Sequence, residues 1–214
     1  MYPKTKPLWR YPLTLLTLFG LWWIVLAIAP VYRKDWLLEN MLVFIAIPIL
    51  ALTARRLRFS DSTYTCLFIF FLLHAIGAHY TYALVPYDEW FRALSGGPLN
   101  ELLGFERNHF DRLVHFLYGL LLAPAAVEIF AHYGRYARSW AVLFPFLFMA
   151  SHAGIYEVFE WGAALVFGGD LGQAYLGTQG DEWDGQKDMA LAMAGSAITI
   201  TWLAIQGRLP IRRT

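Results

Sequence analysis

Cysteine is almost missing from this sequence: Cys66 is the only one. No intramolecular disulfide can form, and no CxxC pair offers a zinc or redox site. Charge is scarce as well. Charged residues make up 15% of 214, and a formal net charge of +1 creates no field that would draw a polyanion. The basic residues are not interleaved with aromatics in any soluble stretch, which argues against nucleic-acid binding. A GxSxG elbow, a Walker loop, an HExxH helix and a dinucleotide fingerprint are all absent. That removes the usual sequence signatures of serine hydrolysis, nucleotide chemistry and zincin proteolysis. Internal repeats and low-complexity tracts are absent too.

Apolar residues are abundant. The chain is 58% hydrophobic and 17% aromatic, with a mean hydropathy of +0.44, against about 45–50% apolar in a soluble domain. Six stretches, 11–29, 36–54, 64–84, 108–132, 140–167 and 188–206, each come close to the ~20 residues that a span needs. The expected fold is all-α: an integral membrane bundle of six transmembrane helices forming one domain over residues 1–214. The first stretch follows Lys4, Lys6 and Arg10 and ends Ala27-Ile28-Ala29, the outline of a signal peptide. Pro30 would sit just after the cut, and the apolar run exceeds the ~7–15 residues of a signal core, so it reads as an uncleaved span.

Lysine and arginine orient the bundle. With the N-terminus inside, eleven lie on the cytoplasmic side: Lys4, Lys6, Arg10, Arg55, Arg56, Arg58, Arg135, Arg138, Arg208, Arg212 and Arg213. Five lie outside: Arg33, Lys34, Arg92, Arg107 and Lys187. The bias places both termini in the cytoplasm. The two longest loops, 85–107 and 168–187, then face outward, where Trp36, Trp90, Trp161 and Trp183 would form an aromatic belt.

Ionisable groups inside apolar segments are expensive, and here they gather toward that outer side. In the fourth span Asp111 and His115 are four apart and share a helix face, able to chelate one ion or to pair a carboxylate with an imidazole base. Arg112 suits an anionic headgroup or phosphate. In the plainer reading, Asp111 answers the helix dipole and Arg112 pairs with a neighbour. The fifth span carries His152, Tyr156 and Glu160 in one stripe with Glu157 beside it, like the ligand sets of metal sites in helix bundles; a hydrogen-bonded packing network is the alternative. Asp181, Asp184 and Asp188 are spaced i, i+3, i+7 and would form one acidic stripe if the sixth helix began near Asp181. Their oxygens suit Mg²⁺, Ca²⁺ or Mn²⁺, while the histidines admit zinc; an exposed acidic loop capping the helix is the alternative. His74 and His79 are five apart and do not share a face; Gly77 and Ala78 between them permit close helix approach. Glu128, near the opposite end, faces His132 or Arg135 and reads as structural.

The segments His79-Tyr80-Thr81-Tyr82, Asn108-His109-Phe110-Asp111-Arg112-Leu113-Val114-His115, Tyr156-Glu157 with Glu160-Trp161, and Leu176-Gly177-Thr178-Gln179-Gly180-Asp181-Glu182-Trp183-Asp184 with Gln186-Lys187-Asp188-Met189 resemble the YjdF-type family of bacterial inner-membrane proteins, a domain family of unknown function. The resemblance runs from the third span onward, and the last motif is the most specific. It implies a six-span bacterial inner-membrane protein, and it implies no activity or substrate.

The residues themselves favour a membrane-embedded, metal-dependent hydrolase or transferase. It would open outward and act on a lipid or envelope-linked substrate. A divalent ion (Zn, Mg, Mn or Ca) would be held by ligands drawn from Asp111, His115, His152, Glu157, Glu160, Asp184 and Asp188. Asp181 or His79 would move protons, and Arg112 would hold an anionic group. Competing readings are a proton- or ion-coupled transporter built on the same intramembrane carboxylates and histidines, a haem carrier using two of His79, His115 and His152, and a scaffold whose polar groups merely hold the bundle together. The expected partners are the lipid bilayer and no nucleic acid.

Overall fold

In a bilayer every backbone N–H and C=O must be satisfied within its own segment, so long apolar runs fold as helices. The computed structural model describes residues 9–212, apart from the side chains of residues 170, 171, 173 and 174. The basic residues Lys4, Lys6 and Arg213 lie outside the described residues. Among the described residues ten helices follow one another: α1 (Arg10–Leu26), α2 (Arg33–Glu39), α3 (Met41–Thr53), α4 (Asp61–Tyr80), α5 (Tyr87–Ser95), α6 (Leu99–Leu103), α7 (Phe110–Tyr133), α8 (Arg138–Phe167), α9 (Gly169–Leu176) and α10 (Asp184–Ile205).

Among the described residues five segments are long and apolar enough to cross a membrane: Arg33–Thr53, Asp61–Tyr80, Phe110–Tyr133, Arg138–Phe167 and Asp184–Ile205. The first expected span is shorter than 11–29. At 17 residues, α1 is about 26 Å long, under the ~30 Å hydrocarbon thickness. Pro30 disfavours helix in the residue before it, and Ala29 takes a left-handed conformation with φ 48°. The second expected span, 36–54, begins earlier, at Arg33, and changes helix at Asn40. That residue is fully buried, donates from Nδ2 to the Trp36 carbonyl at 2.7 Å and accepts from the Trp23 indole. The two long loops contain α5, α6 and α9. Leu52, Val166 and Ile205 are each at least three-quarters exposed, as lipid-facing residues are. Trp90, Trp161 and Trp183 are exposed, but Trp36 leaves the expected belt: it is buried against Trp23.

The end of α4 folds back on itself. Thr81 and Tyr82 are both left-handed (φ 54° and 48°), and the Tyr82 N–H donates to the Gly77 carbonyl at 2.7 Å. The Tyr82 ring then covers Gly77 so closely that a Cβ there would overlap it. Gly77 therefore admits this ring, not a neighbouring helix. Burying the ring brings the Tyr82 hydroxyl to His74 Nδ1 at 2.5 Å. At the other end of α4, Glu128 accepts from Ser60 N–H (2.8 Å), Ser60 Oγ (2.6 Å) and Thr63 Oγ1 (2.7 Å). It ties α7 to the N-cap of α4, instead of facing His132 or Arg135.

The closest helix pair is α7 against α10, running in the same direction. A Cβ on Gly119 would overlap the Ala192 carbonyl, and one on Gly195 would overlap the Phe116 carbonyl. Thr199 Oγ1 donates across the seam to the Leu120 carbonyl at 2.7 Å. Backbones this close gain dispersion contact that lipid cannot supply, and the N-termini of both helices come to the same end of the bundle. Gly119→Ala and Gly195→Ala should each destabilise the detergent-purified protein by about 1–3 kcal/mol in thermal or denaturant unfolding. Gly20→Ala, with open space around it, should be neutral or slightly stabilising.

Candidate metal centre

Asp111 and His115 lie in the first two turns of α7, and Asp184 and Asp188 in the first two turns of α10. The Gly119–Gly195 seam, one to two turns further along, sets these pairs opposite one another. Asp111, His115 and Asp188 each present one ligand atom, and the three atoms lie within 4.8 Å of one another. Two donors on one ion stand about 3–4 Å apart given bonds of 2.0–2.6 Å, so the group can hold a metal after small rotations. Asp111 Oδ1 is 3.5 Å from His115 Nε2, and Glu157 Oε1 from α8 is 3.7 Å from His115 Nδ1. Asp188 is 2% exposed, and its Oδ1, like Glu157 Oε1, has no hydrogen-bond partner. Among the described residues no lysine or arginine forms an ion pair with Asp111, Glu157 or Asp188.

The cations are engaged beside this group. Arg107 pairs with Asp184 and, at 3.6 Å, with Asp181; Arg112 pairs with Asp181 and, at 3.3 Å, with Asp184; Lys187 reaches Asp181 at 2.6 Å. Arg107 also donates to the Thr178 carbonyl. Gln179 and Asn108 exchange two hydrogen bonds, Asn108 N–H to Gln179 Oε1 (3.1 Å) and Gln179 Nε2 to the Asn108 carbonyl (2.9 Å). The loop before α10 is thereby latched to the start of α7. Lys187, the Trp183 N–H and Arg112 hold the Asp181 carboxyl well below the usual carboxylate range. Burial and the nearby Arg112 and Arg107 push the His109 imidazole down, toward its neutral form.

A cavity of about 40 Å³ opens beside the group, lined in part by Asp111, His115, His152, Tyr156, His74 and Tyr82; a water needs only about 10–15 Å³. His152 lines it at a distance from the ligand cluster, bonded to the Tyr118 hydroxyl at 2.8 Å and stacked on that ring. His79 stands apart, its Nδ1 2.8 Å from the Leu26 carbonyl. Of the residues singled out in the sequence, the structure thus brings Asp111, His115 and Asp188 together with Glu157 beside them. It places Arg112, Asp181 and Asp184 in the latch and His152 at the cavity, and leaves Glu160 outside both the ligand group and the cavity lining. Sequence reading passed over Arg107, and with it Asp35 and Glu39 of α2, both buried. The last two carried a signal: four residues apart, they share a helix face.

The model of a family described as predicted membrane protein (DUF2238) matches residues 11–208. The chain is also similar to the inner membrane protein YjdF of Escherichia coli (strain K12), 39% identical over 174 residues that cover 80% of this chain and 78% of that protein. No solved structure matches the chain.

Two outcomes test the latch. Asp184→Ala leaves two arginines beside an almost buried, empty position, and should destabilise the protein toward the lower end of the about 3–5 kcal/mol cost of breaking a buried pair. Because the Asp181 carboxyl is held low in the folded state, its contribution is fully present above the unfolded carboxylate pKa of about 3.9 and is lost as pH falls through and below that value. Limited proteolysis of the 177–183 loop should therefore be slow from neutral pH down to about 4, faster below it, and fast at neutral pH in Asp181→Asn.

Proposed function

The chain belongs to the DUF2238 family of predicted membrane proteins, and from that premise we propose that it is a metal-dependent hydrolase or transferase within the bacterial inner membrane. One observation carries the reading: Asp111, His115 and Asp188 offer ligand atoms within 4.8 Å of one another, from two helices locked at backbone contact. Carboxylates this well removed from water, with an unpaired oxygen on Asp188, need a counter-charge. A mixed nitrogen and oxygen donor set suits zinc or manganese better than magnesium. A divalent ion held there would lower the pKa of a bound water toward neutrality.

The chain's own residues supply the rest of the site. Glu157 lies beside His115 and sets the orientation of its ring, as outer carboxylates do for metal-bound histidines. His152 and Tyr118 form a hydrogen-bonded wall of the cavity. Arg112 lies beside the group, where its guanidinium would hold an anionic part of the substrate. With a single six-span domain and both termini in the cytoplasm, this end of the bundle faces outward, toward a lipid or envelope-linked substrate. A transporter fits less well. The ionisable groups gather at one end, whereas the packing around Ala123, Val127, Met149, Ile200 and Leu203 toward the other end is apolar, and a carrier needs access from both sides.

Metal analysis of the detergent-purified chain should find zinc or manganese near one ion per chain. Asp188→Asn or His115→Ala should lower its affinity by about 10–100-fold or more, and chelator should lower the unfolding temperature of the wild type but not of Asp188→Asn. A metal-free protein whose stability ignores both chelator and added metal would overturn the proposal.

A further inference from the structure

A second cavity, of about 250 Å³, lies between α1, α3 and the first half of α4. It is far larger than the about 10–15 Å³ that one water needs. Glu128, toward the end of α7, bonds Ser60 at the start of α4, so this is the end of the bundle opposite Asp111 and His115. The lining is aliphatic and aromatic, with the Trp9 indole and the Tyr64 hydroxyl its polar side-chain groups. Phe19 and Phe71, both buried and with ring centres 5.7 Å apart, make the inner wall. Leu13, Leu16 and Ala51 also line the cavity and are exposed, so it opens sideways between α1 and α3, toward lipid tails. Among the described residues α1 packs along α4, whereas α3 makes no comparable backbone approach to either. Pro48 lies inside α3 and removes one of its helical hydrogen bonds; Leu50, Ala51 and Ala54, which follow it, border the gap.

Positive charge surrounds the mouth of this cavity. Arg10 follows Trp9, and Arg55 and Arg56 follow Ala54, both of them lining residues. The Arg58 guanidinium lies 5.5 Å from the centre of the Trp9 ring and pairs with Asp61 at 3.3 Å. Arg10, Arg55 and Arg56 are exposed and form no ion pair among the described residues. The acids nearby are engaged: Asp61 with Arg58, and Glu128 with Ser60 and Thr63. We propose that the cavity binds an acyl chain of an anionic phospholipid whose phosphate is held by Arg10, Arg55 and Arg56. Walls of leucine and phenylalanine offer nothing to water, whereas an acyl chain gains dispersion contact along them. Basic pockets between membrane helices on the cytoplasmic side take anionic headgroups, and the arginine bias favours that side for this end. Phosphatidylethanolamine carries an ammonium beside its phosphate and would set it against the arginines; phosphatidylglycerol carries only the negative charge. The site shares no residue with the metal centre, and a lipid bound there would fill the gap between α1 and α3.

Titration of the delipidated full chain in dodecyl maltoside with dioleoyl-phosphatidylglycerol tests this, read by native mass spectrometry and by unfolding temperature. Saturable binding of one lipid per chain is expected, with a rise in unfolding temperature. Dioleoyl-phosphatidylethanolamine should bind at least about fivefold more weakly, and the double variant Arg55→Gln, Arg56→Gln should weaken phosphatidylglycerol binding about tenfold or more. Leu16→Trp and Ala51→Phe add bulk at exposed lining positions and should each remove the bound lipid. Leu52→Trp, exposed and outside the lining, and Asp188→Asn at the metal centre should bind it as the wild type does, so that either site can fail alone. Circular dichroism identifies a filling variant that does not fold; the other one and the exposed arginine pair then carry the test. A wild type without saturable phosphatidylglycerol binding overturns the proposal, as does equal binding of the two lipids or binding unchanged in the folded filling variants. Glycerol phosphate binding as tightly as the whole lipid overturns it too, because the arginines would then take a free phosphate and the cavity no chain.

Discussion

The seam between α7 and α10 is the contact on which the candidate site depends. Glycine at 119 and 195 lets one helix backbone rest on the other, and no side chain larger than hydrogen fits at either position. In a bilayer, where lipid tails remove any hydrophobic drive for helix association, such contact is a main source of helix pairing. Its consequence is positional. Two helices that begin at the same end of the bundle bring their first-turn acids face to face, and both N-terminal dipoles point at them. Repulsion between Asp111, Asp184 and Asp188 is thus imposed by packing that gains its energy elsewhere.

The protein handles that negative charge in two ways within a few ångströms. Asp181 and Asp184 are matched by Arg107, Arg112 and Lys187, a lattice in which each acid meets two or more cations. It latches the 177–183 loop over the start of α7. Asp111, Glu157 and Asp188 are left with one imidazole among them. A fold held together only by polar packing would match its acids to bases throughout. Asp184 meets two arginines while Asp111, Glu157 and Asp188 beside it meet none, and that distribution favours a bound cation over a purely structural network. The cavity lined by Asp111 and His115 gives water or a substrate atom access to that group.

Much of this was readable along the chain. Helical spacing paired Asp111 with His115 and Asp184 with Asp188, because a helix repeats every 3.6 residues wherever it sits. The spans were legible from length and apolarity, with errors where local chemistry intervened: Pro30 shortened α1, and Asn40 broke the second span by bonding its own backbone. Arg107 was illegible as a partner because its acids are about seventy residues away in sequence. Tyr82 was illegible because two consecutive left-handed residues, neither of them glycine, turn its ring back over Gly77 and bring its hydroxyl to His74. Asp35 and Glu39 had the right spacing, but they lie at the start of a span, where a carboxylate ordinarily reaches water, so nothing in the local pattern marked them as buried.

By itself the sequence determined the class of the protein and the chemistry it can offer: an all-α membrane protein whose ionisable groups gather mostly toward one end of its helices, with Glu128 the exception. Hydropathy and helical period are local properties, and no fold could alter them. Only the tertiary structure decided which of those groups meet. Register across the α7–α10 seam put Asp188 with Asp111 and His115, not with Asp184's arginines, and the packing of α2 against α4 and α9 buried Asp35 and Glu39, two acids that no motif contained. Partner choice among like-charged residues depends on a few ångströms of helix offset, and that offset is set by glycines two turns away from the charges themselves.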